Sequence, residues 1–342
     1  MGRRMTRGRW RAVWVLMGAA AVAMGGCAAS PGSGRSESVT YAEADLARRL
    51  LESVHAQSIE QIIACSQDDD PFMRANAIEA SQYLPDRVVP LVQLALEDSH
   101  EAVRFAALAT VGRRRLTVVA PVARTYLSDP SRSVRAAAIF ALAKCGQAVD
   151  RTPLAAMLAD PDLGVRGNAA MLVGMMDDPT AVPMLKDMAK APMQRIGPAK
   201  AAIVRLQFAE AIARLGDDSN LSAIRAGAYS KIGEVRVLAV TMMGELNDQA
   251  MAPAIAVMLS EPPMELQVAA AATLAKFGDP SGLRVVMLAS HSALALQRHQ
   301  AALALGYFDA PGAVRVLTRL LNDEDRRVRL SAAAAICRRL GG

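Results

Sequence analysis

One short pattern recurs nine times along the chain and limits what it can fold into. An apolar residue, an arginine and a run of small residues lead into an Ala-Leu pair and a closing glycine, as in Val134-Arg135-Ala136-Ala137-Ala138 running to Gly146. The arginine position falls at Arg74, Arg104, Arg135, Arg166, Arg205, Arg236, Gln267, Arg298 and Arg329. Successive differences are 30, 31, 31, 39, 31, 31, 31 and 31, so a 31-residue unit repeats with one eight-residue insertion. Units of this length cannot bury an apolar face alone and must lean on their neighbours. The expected fold is all-α, a solenoid (superhelix) of about nine helical hairpins over residues 56–342, preceded by a capping helix over 41–55. In that helix Leu46, Leu50 and Leu51 form the apolar side, and at the far end Arg326, Arg327, Arg338 and Arg339 suit a last helix facing water. Hydrophobic residues reach 52% while aromatics reach only 4%, so the helices must approach closely on small side chains.

Each unit reads as two antiparallel helices. The first carries an early proline, at Pro90, Pro121, Pro153, Pro183 and Pro253, where the backbone N–H groups lack intrahelical acceptors anyway. Between the helices stand Asp98, Asp129, Asp160 and Asp323, with Asp68 in register, each six residues before the repeat arginine. This spacing sets a carboxylate at the turn and a guanidinium in the first turn of the second helix, so a ladder from one unit's Arg to a neighbour's Asp can run along the stack. Such rungs serve folding: an exposed one is worth about 0–1 kcal/mol, whereas a buried one that loses a partner costs about 3–5. Gln267 interrupts the ladder, with Glu261 six residues before it and a neutral hydrogen bond as the substitute.

The run Val103-Arg104-Phe105-Ala106-Ala107 through Gly112, with turns such as Asp178-Pro179-Thr180-Ala181-Val182-Pro183, resembles HEAT repeats of the bilin-lyase type over about residues 56–342. That resemblance implies architecture rather than activity, because scaffolds, adaptors and a few enzymes share such repeats. The iron enzyme of this repeat type, deoxyhypusine hydroxylase, takes its ligands from several His-Glu pairs at matching positions. Here only His299-Gln300 stands at that place, and the four histidines, at 55, 100, 291 and 299, show no metal-ligand spacing. Nucleophile, phosphate-loop and dinucleotide motifs are absent from the sequence, so neither catalysis nor a cofactor is expected.

Arg3, Arg4, Arg7, Arg9 and Arg11 precede an apolar run from Ala12 to Gly26, the form of an export signal over residues 1–26. Met24-Gly25-Gly26-Cys27 resembles the bacterial lipobox, which implies diacylglycerol on Cys27 and a flexible tether over 27–40. The expected location is the cell envelope, on the periplasmic side of an outer membrane where the cell has one. The net charge of +6 reflects 39 basic and 33 acidic residues; removing residues 1–26 takes away five arginines and leaves 34 against 33. A nearly neutral mature chain has no field suited to nucleic acid. Cys65, Cys145 and Cys337 lie far apart in helical segments and read as small core residues.

A protein or peptide partner of a monomeric scaffold is therefore the expectation, and two places could take it. Phe105, Phe140, Met171, Leu206 and Leu330 fall opposite the repeat-packing side of the second helices, as anchors of an apolar inner groove or as residues hidden by tight curvature. The insertion around Ala191-Pro192-Met193-Gln194-Arg195-Ile196-Gly197-Pro198 offers Met193, Arg195 and Ile196 between two prolines. A small molecule acted on in the curved cavity is the alternative. Arg113, Lys144, Arg214, Lys276 and Arg338, ten positions after the apolar residue, form a basic row with Glu245 among them, which the negative end of a helix dipole favours.

Overall fold

The computed structural model describes residues 37–193 and 196–340, which form eighteen α-helices with no strand among the described residues. Nine helices make an inner circle: α2 (Pro71–Ala80), α4 (Glu101–Arg114), α6 (Arg132–Lys144), α8 (Leu163–Gly174), α10 (Pro198–Arg214), α12 (Gly233–Glu245), α14 (Met264–Lys276), α16 (Ala295–Leu305) and α18 (Arg326–Leu340). Each packs on the next. Outside them stand α1 (Glu37–Cys65), α3 (Val88–Leu96), α5 (Ala120–Ala123), α7 (Pro153–Leu158), α9 (Val182–Ala189), α11 (Leu221–Gly227), α13 (Ala252–Val257), α15 (Leu283–Ala289) and α17 (Pro311–Leu320). Every outer helix leans on the inner helix that follows it in the chain.

Local chemistry sets the helix ends. The Asp70 and Asp162 carboxylates accept hydrogen bonds from the first free backbone N–H groups of α2 and α8, and the His100 Nδ1 does the same for α4. In six of the nine units the chain leaves the inner helix through a left-handed residue twelve positions after the apolar one. That residue is Gly at 146, 216 and 278, but Arg115, Asp177 and Asn247 take the same conformation with φ between 50° and 56°. The geometry therefore belongs to the unit, and side chains tolerate it where glycine is missing.

Nine positions on, Gly112, Gly174, Gly244 and Gly306 let the next inner helix come close. A Cβ on Gly112 would lie 2.3 Å from the Phe140 ring, and one on Gly174 would lie 2.6 Å from the Ala211 Cα. The Phe140 ring has some room to give, whereas the Ala211 backbone does not. Gly174→Ala should therefore cost about 1–3 kcal/mol, read as a lower urea midpoint at unchanged slope.

The stack does not end in two free faces. α1 packs along α18 as well as on α2, and α18 also reaches α2, so the ninth unit meets the first. Across this seam Arg326 donates to Asp68 at 2.6 Å, and Gln57 lies 3.5 Å from Asn322. The solenoid is a closed ring. Two expectations are corrected here. The helix assigned to 41–55 continues to Cys65 and closes the ring instead of capping an open end, so the division at residue 55 falls within one helix. The last helix is not a water-facing terminus, since Val328, Leu330, Ile336 and Cys337 are buried in it. Leu50 and Leu51, the apolar side expected to pack, are exposed (58% and 39%), because the buried part of α1 lies nearer its end, at Ser58, Ile62 and Cys65.

Candidate functional site

Sequence position ten of each unit falls at the C-terminal end of an inner helix, and seven of the nine positions meet one another in a hub. Taken through all nine units they are Tyr83, Arg113, Lys144, Met175, Arg214, Glu245, Lys276, Tyr307 and Arg338. One turn earlier, Glu79 and Glu210 stand in a register otherwise filled mostly by apolar residues. Arg113 and Arg214 lie three units apart along the chain, yet the Arg214 charge is near enough to disfavour the charge on Arg113.

The hub is a circuit of charges. Arg214 donates to Glu210 Oε1 from Nε at 3.0 Å and from Nη2 at 2.8 Å, and its guanidinium lies 3.9 Å from Glu245. Lys276 donates to Glu245 and sits 4.6 Å from the centre of the Tyr307 ring, over which the Arg338 guanidinium stacks at 3.7 Å. Arg338 also hydrogen-bonds Tyr83, and burial pushes that phenol up. Burial also holds the Glu79 carboxyl at about 7, against a modest opposing pull from Arg113. The Glu210 carboxyl is pushed up to about 7 by the same cause, against the pull of its Arg214 partner. Lys144 turns away to Asp177, on the rim.

Several atoms here lack partners. Glu79 Oε2, Arg113 Nε and Nη2 and Arg338 Nε are sealed from solvent and make no hydrogen bond. The Arg113 guanidinium accordingly loses basicity through burial, only partly restored by Glu79.

The arginine ladder occupies the other end of the units. Arg74 binds Asp98 with two parallel hydrogen bonds of 2.7 and 2.9 Å, Arg104 binds Asp129 at 2.8 and 3.0 Å, and Arg298 binds Asp323 at 2.8 Å twice. Arg236 reaches Glu261 at 2.6 Å. Elsewhere the rung changes hands. Arg135 donates only to the carbonyls of Asp129 and Pro130, while Arg132, one turn earlier, takes Asp160 at 2.9 Å. Arg329 likewise bonds the carbonyls of Asp323 and Glu324, and Arg326, again three residues earlier, carries the rung to Asp68. The insertion breaks the series: Arg166 is buried against the carbonyls of Ala159, Asp160 and Ala191. Arg205 is exposed and joins no ion pair among the described residues. Gln267 forms no rung either: Glu261 takes the regular rung from Arg236, and the turn of the following unit offers Ser292 where an acid would stand.

The inner-groove expectation is not met. Phe105, Phe140, Met171, Leu206 and Leu330 are all at least nine-tenths buried, so curvature hides them and no apolar groove runs along this face. Leu206 shows why, for it packs beside Gly227 of the outer helix α11, near Ala239 of the next inner helix. In the insertion, Met193 and Ile196 are half-buried against the core, and Arg195 lies outside the described residues, as does Cys27. The remaining cysteines are buried and unpaired.

The position-ten row was visible in the sequence only as a basic stripe. Tyr83 and Tyr307 share its register, and Glu79 and Glu210 stand one turn earlier among apolar neighbours.

The family model for HEAT repeats matches residues 59–143 and 120–196. A search of curated proteins finds no match. Among solved structures, human deoxyhypusine hydroxylase in complex with glycerol aligns at 14% identity over 87% of this chain and 98% of its own, with a TM-score of 0.36. The complex of CpcE and CpcF of phycocyanin lyase from Nostoc sp. aligns at 21% identity over 67% of this chain and 91% of its own, with a TM-score of 0.40. An engineered protein aligns at 17% identity over 85% and 95%, with a TM-score of 0.34.

Proposed function

We propose that this HEAT-repeat protein is a non-catalytic scaffold of the cell envelope, lipid-anchored through Cys27, that holds a protein partner on the outside of its ring. The observation that carries this reading is a set of apolar side chains left uncovered on neighbouring outer helices. Val257 on α13 and Leu288 on α15 occupy the same place in the seventh and eighth units and are 61% and 64% exposed. Leu294 and Leu296, at the entry to α16, are exposed as well. Large apolar side chains clustered on a rigid surface supply binding energy when a partner removes them from water. A face built on packed helices loses little freedom on binding, which favours affinity.

The test is cross-linking in native envelope membranes with Val257→Asp/Leu288→Asp. Recovery of the cross-linked partner should fall at least about tenfold while the unfolding midpoint stays where it was, because neither side chain is part of the core. A partner recovered in full by the double variant would remove this face from consideration.

A further inference from the structure

We propose that the hub of the ring binds one small oxyanion that still carries a hydrogen, of the class of monohydrogen phosphate or bicarbonate. This goes beyond the scaffold reading, and either can fail without the other.

The argument starts from charge. Arg113, Arg214, Lys276 and Arg338 bring four cations to the hub, and Glu79, Glu210 and Glu245 bring three carboxylates. The balance is therefore +1 with every carboxyl ionised. Three of the cations are spent: Arg214 on Glu210, Lys276 on Glu245, and the Arg338 face on Tyr307. Arg113 is not. Its Nε and Nη2 are buried with no acceptor, and the Nε of Arg338 is in the same condition. Buried donors of a fixed charge call for an acceptor oxygen, and guanidinium groups prefer oxyanions that can take parallel hydrogen bonds.

Glu79 adds a second requirement. It is 6% exposed, its Oε2 has no donor, and the charge of Arg113 pulls its carboxyl down with no hydrogen bond between the two. A ligand that completes this gap must accept from Arg113 and donate to Glu79. Chloride and sulfate can do only the first. A hydrogen-bearing oxyanion does both. No water-sized space touches these atoms, so hub side chains must move aside to admit the ligand, which limits it to a few heavy atoms.

The experiment uses the chain without its export signal at pH 8 and fixed ionic strength, titrated calorimetrically with inorganic phosphate, bicarbonate and sulfate. Phosphate or bicarbonate should bind with one-site saturation, the tighter of the two identifying the ion, and sulfate at least about tenfold more weakly. Arg113→Met should weaken that ion by about ten- to a hundredfold, since a hydrogen bond to a charge is lost. Glu79→Gln, which keeps the shape but offers an amide donor, should bring sulfate level with phosphate. Lys186→Met, on the outer helix α9 and paired with Asp217, should change nothing. Thermal unfolding of each variant verifies that the ring is intact. Absence of saturable binding, equal binding of sulfate by the unmodified chain, or full affinity in folded Arg113→Met would each overturn the proposal.

Discussion

Replacing Ile62 with aspartate should open the ring at its seam. Ile62 is fully buried in the part of α1 that joins the ninth unit to the first. The substitution removes apolar burial worth about 1.5–3 kcal/mol and adds a carboxyl with no partner, which costs more again. The reporter is Cys337. It lies on α18, the helix that packs along α1 and reaches α2 at the seam. In the closed ring it is fully buried, and burial pushes its thiol up to about 12. It is thus both inaccessible and almost wholly protonated, and a maleimide should label it very slowly. A seam weakened by about 3 kcal/mol should raise the labelling rate roughly a hundredfold. Cys145, in the third unit and distant from the seam, should keep its rate. Equal acceleration at both thiols would mean that the molecule opens as a whole and that the seam is no weaker than any other interface.

The second large effect is on pH. Glu79 and Glu210 are both nearly completely buried, and their carboxyls are raised by burial to about 7. In the unfolded chain a glutamate titrates near 4.3. The folded state therefore holds these protons more tightly. The stability this confers is present in full below the unfolded value and is lost as pH rises through about 7. Each carboxyl accounts for on the order of 3 kcal/mol. Aspartates bend the curve the other way. Hydrogen bonds from Arg74 hold Asp98 low, and those from Arg327 hold Asp325 at about 2, so their contribution is present above about pH 4 and disappears in stronger acid. Urea midpoints should peak at roughly pH 4–5 and fall toward pH 8. Glu79→Gln/Glu210→Gln should flatten the fall. The same slope in the double variant would place the cause elsewhere.

The parts of this architecture that were legible in the sequence are those governed by local spacing. The 31-residue period, the paired helices and the register of Arg74, Arg104 and Arg298 against the next unit's aspartate all follow from helix geometry within one unit and its neighbour. Closure is a sum over units. Nine equal rotations of about 40° complete a circle, while a few degrees less per unit leaves a spiral, and no single residue declares the difference. Of the two readings open for Phe105, Phe140 and Leu206, anchors of a groove or residues hidden by tight curvature, closure selects the second, since a helix side that faces a wide bowl in an open coil is pressed against neighbours in a tight ring. The transfer of two rungs to Arg132 and Arg326 was readable in principle, because an arginine three residues earlier lies on the same helix face. The hub was half legible: the cations at position ten stand in a regular row, but a helix end accounts for a cation by itself, and the tyrosines and glutamates beside them become a cluster only when the ring closes.

The Arg326 to Asp68 contact has a consequence for how such a chain can change over time. An open row of modules tolerates duplication or loss of one member, because the newcomer simply lengthens the row and the two outermost faces stay as they were. A clasped row does not. Adding a tenth module, or dropping to eight, forces every junction to adopt a new angle or leaves the clasp undone. Variation in length is then confined to places that leave the junction angles alone: the eight extra residues of this chain fall between α9 and the repeat arginine of α10, which begins seven residues before Arg205 instead of the usual three, and they do not form another module.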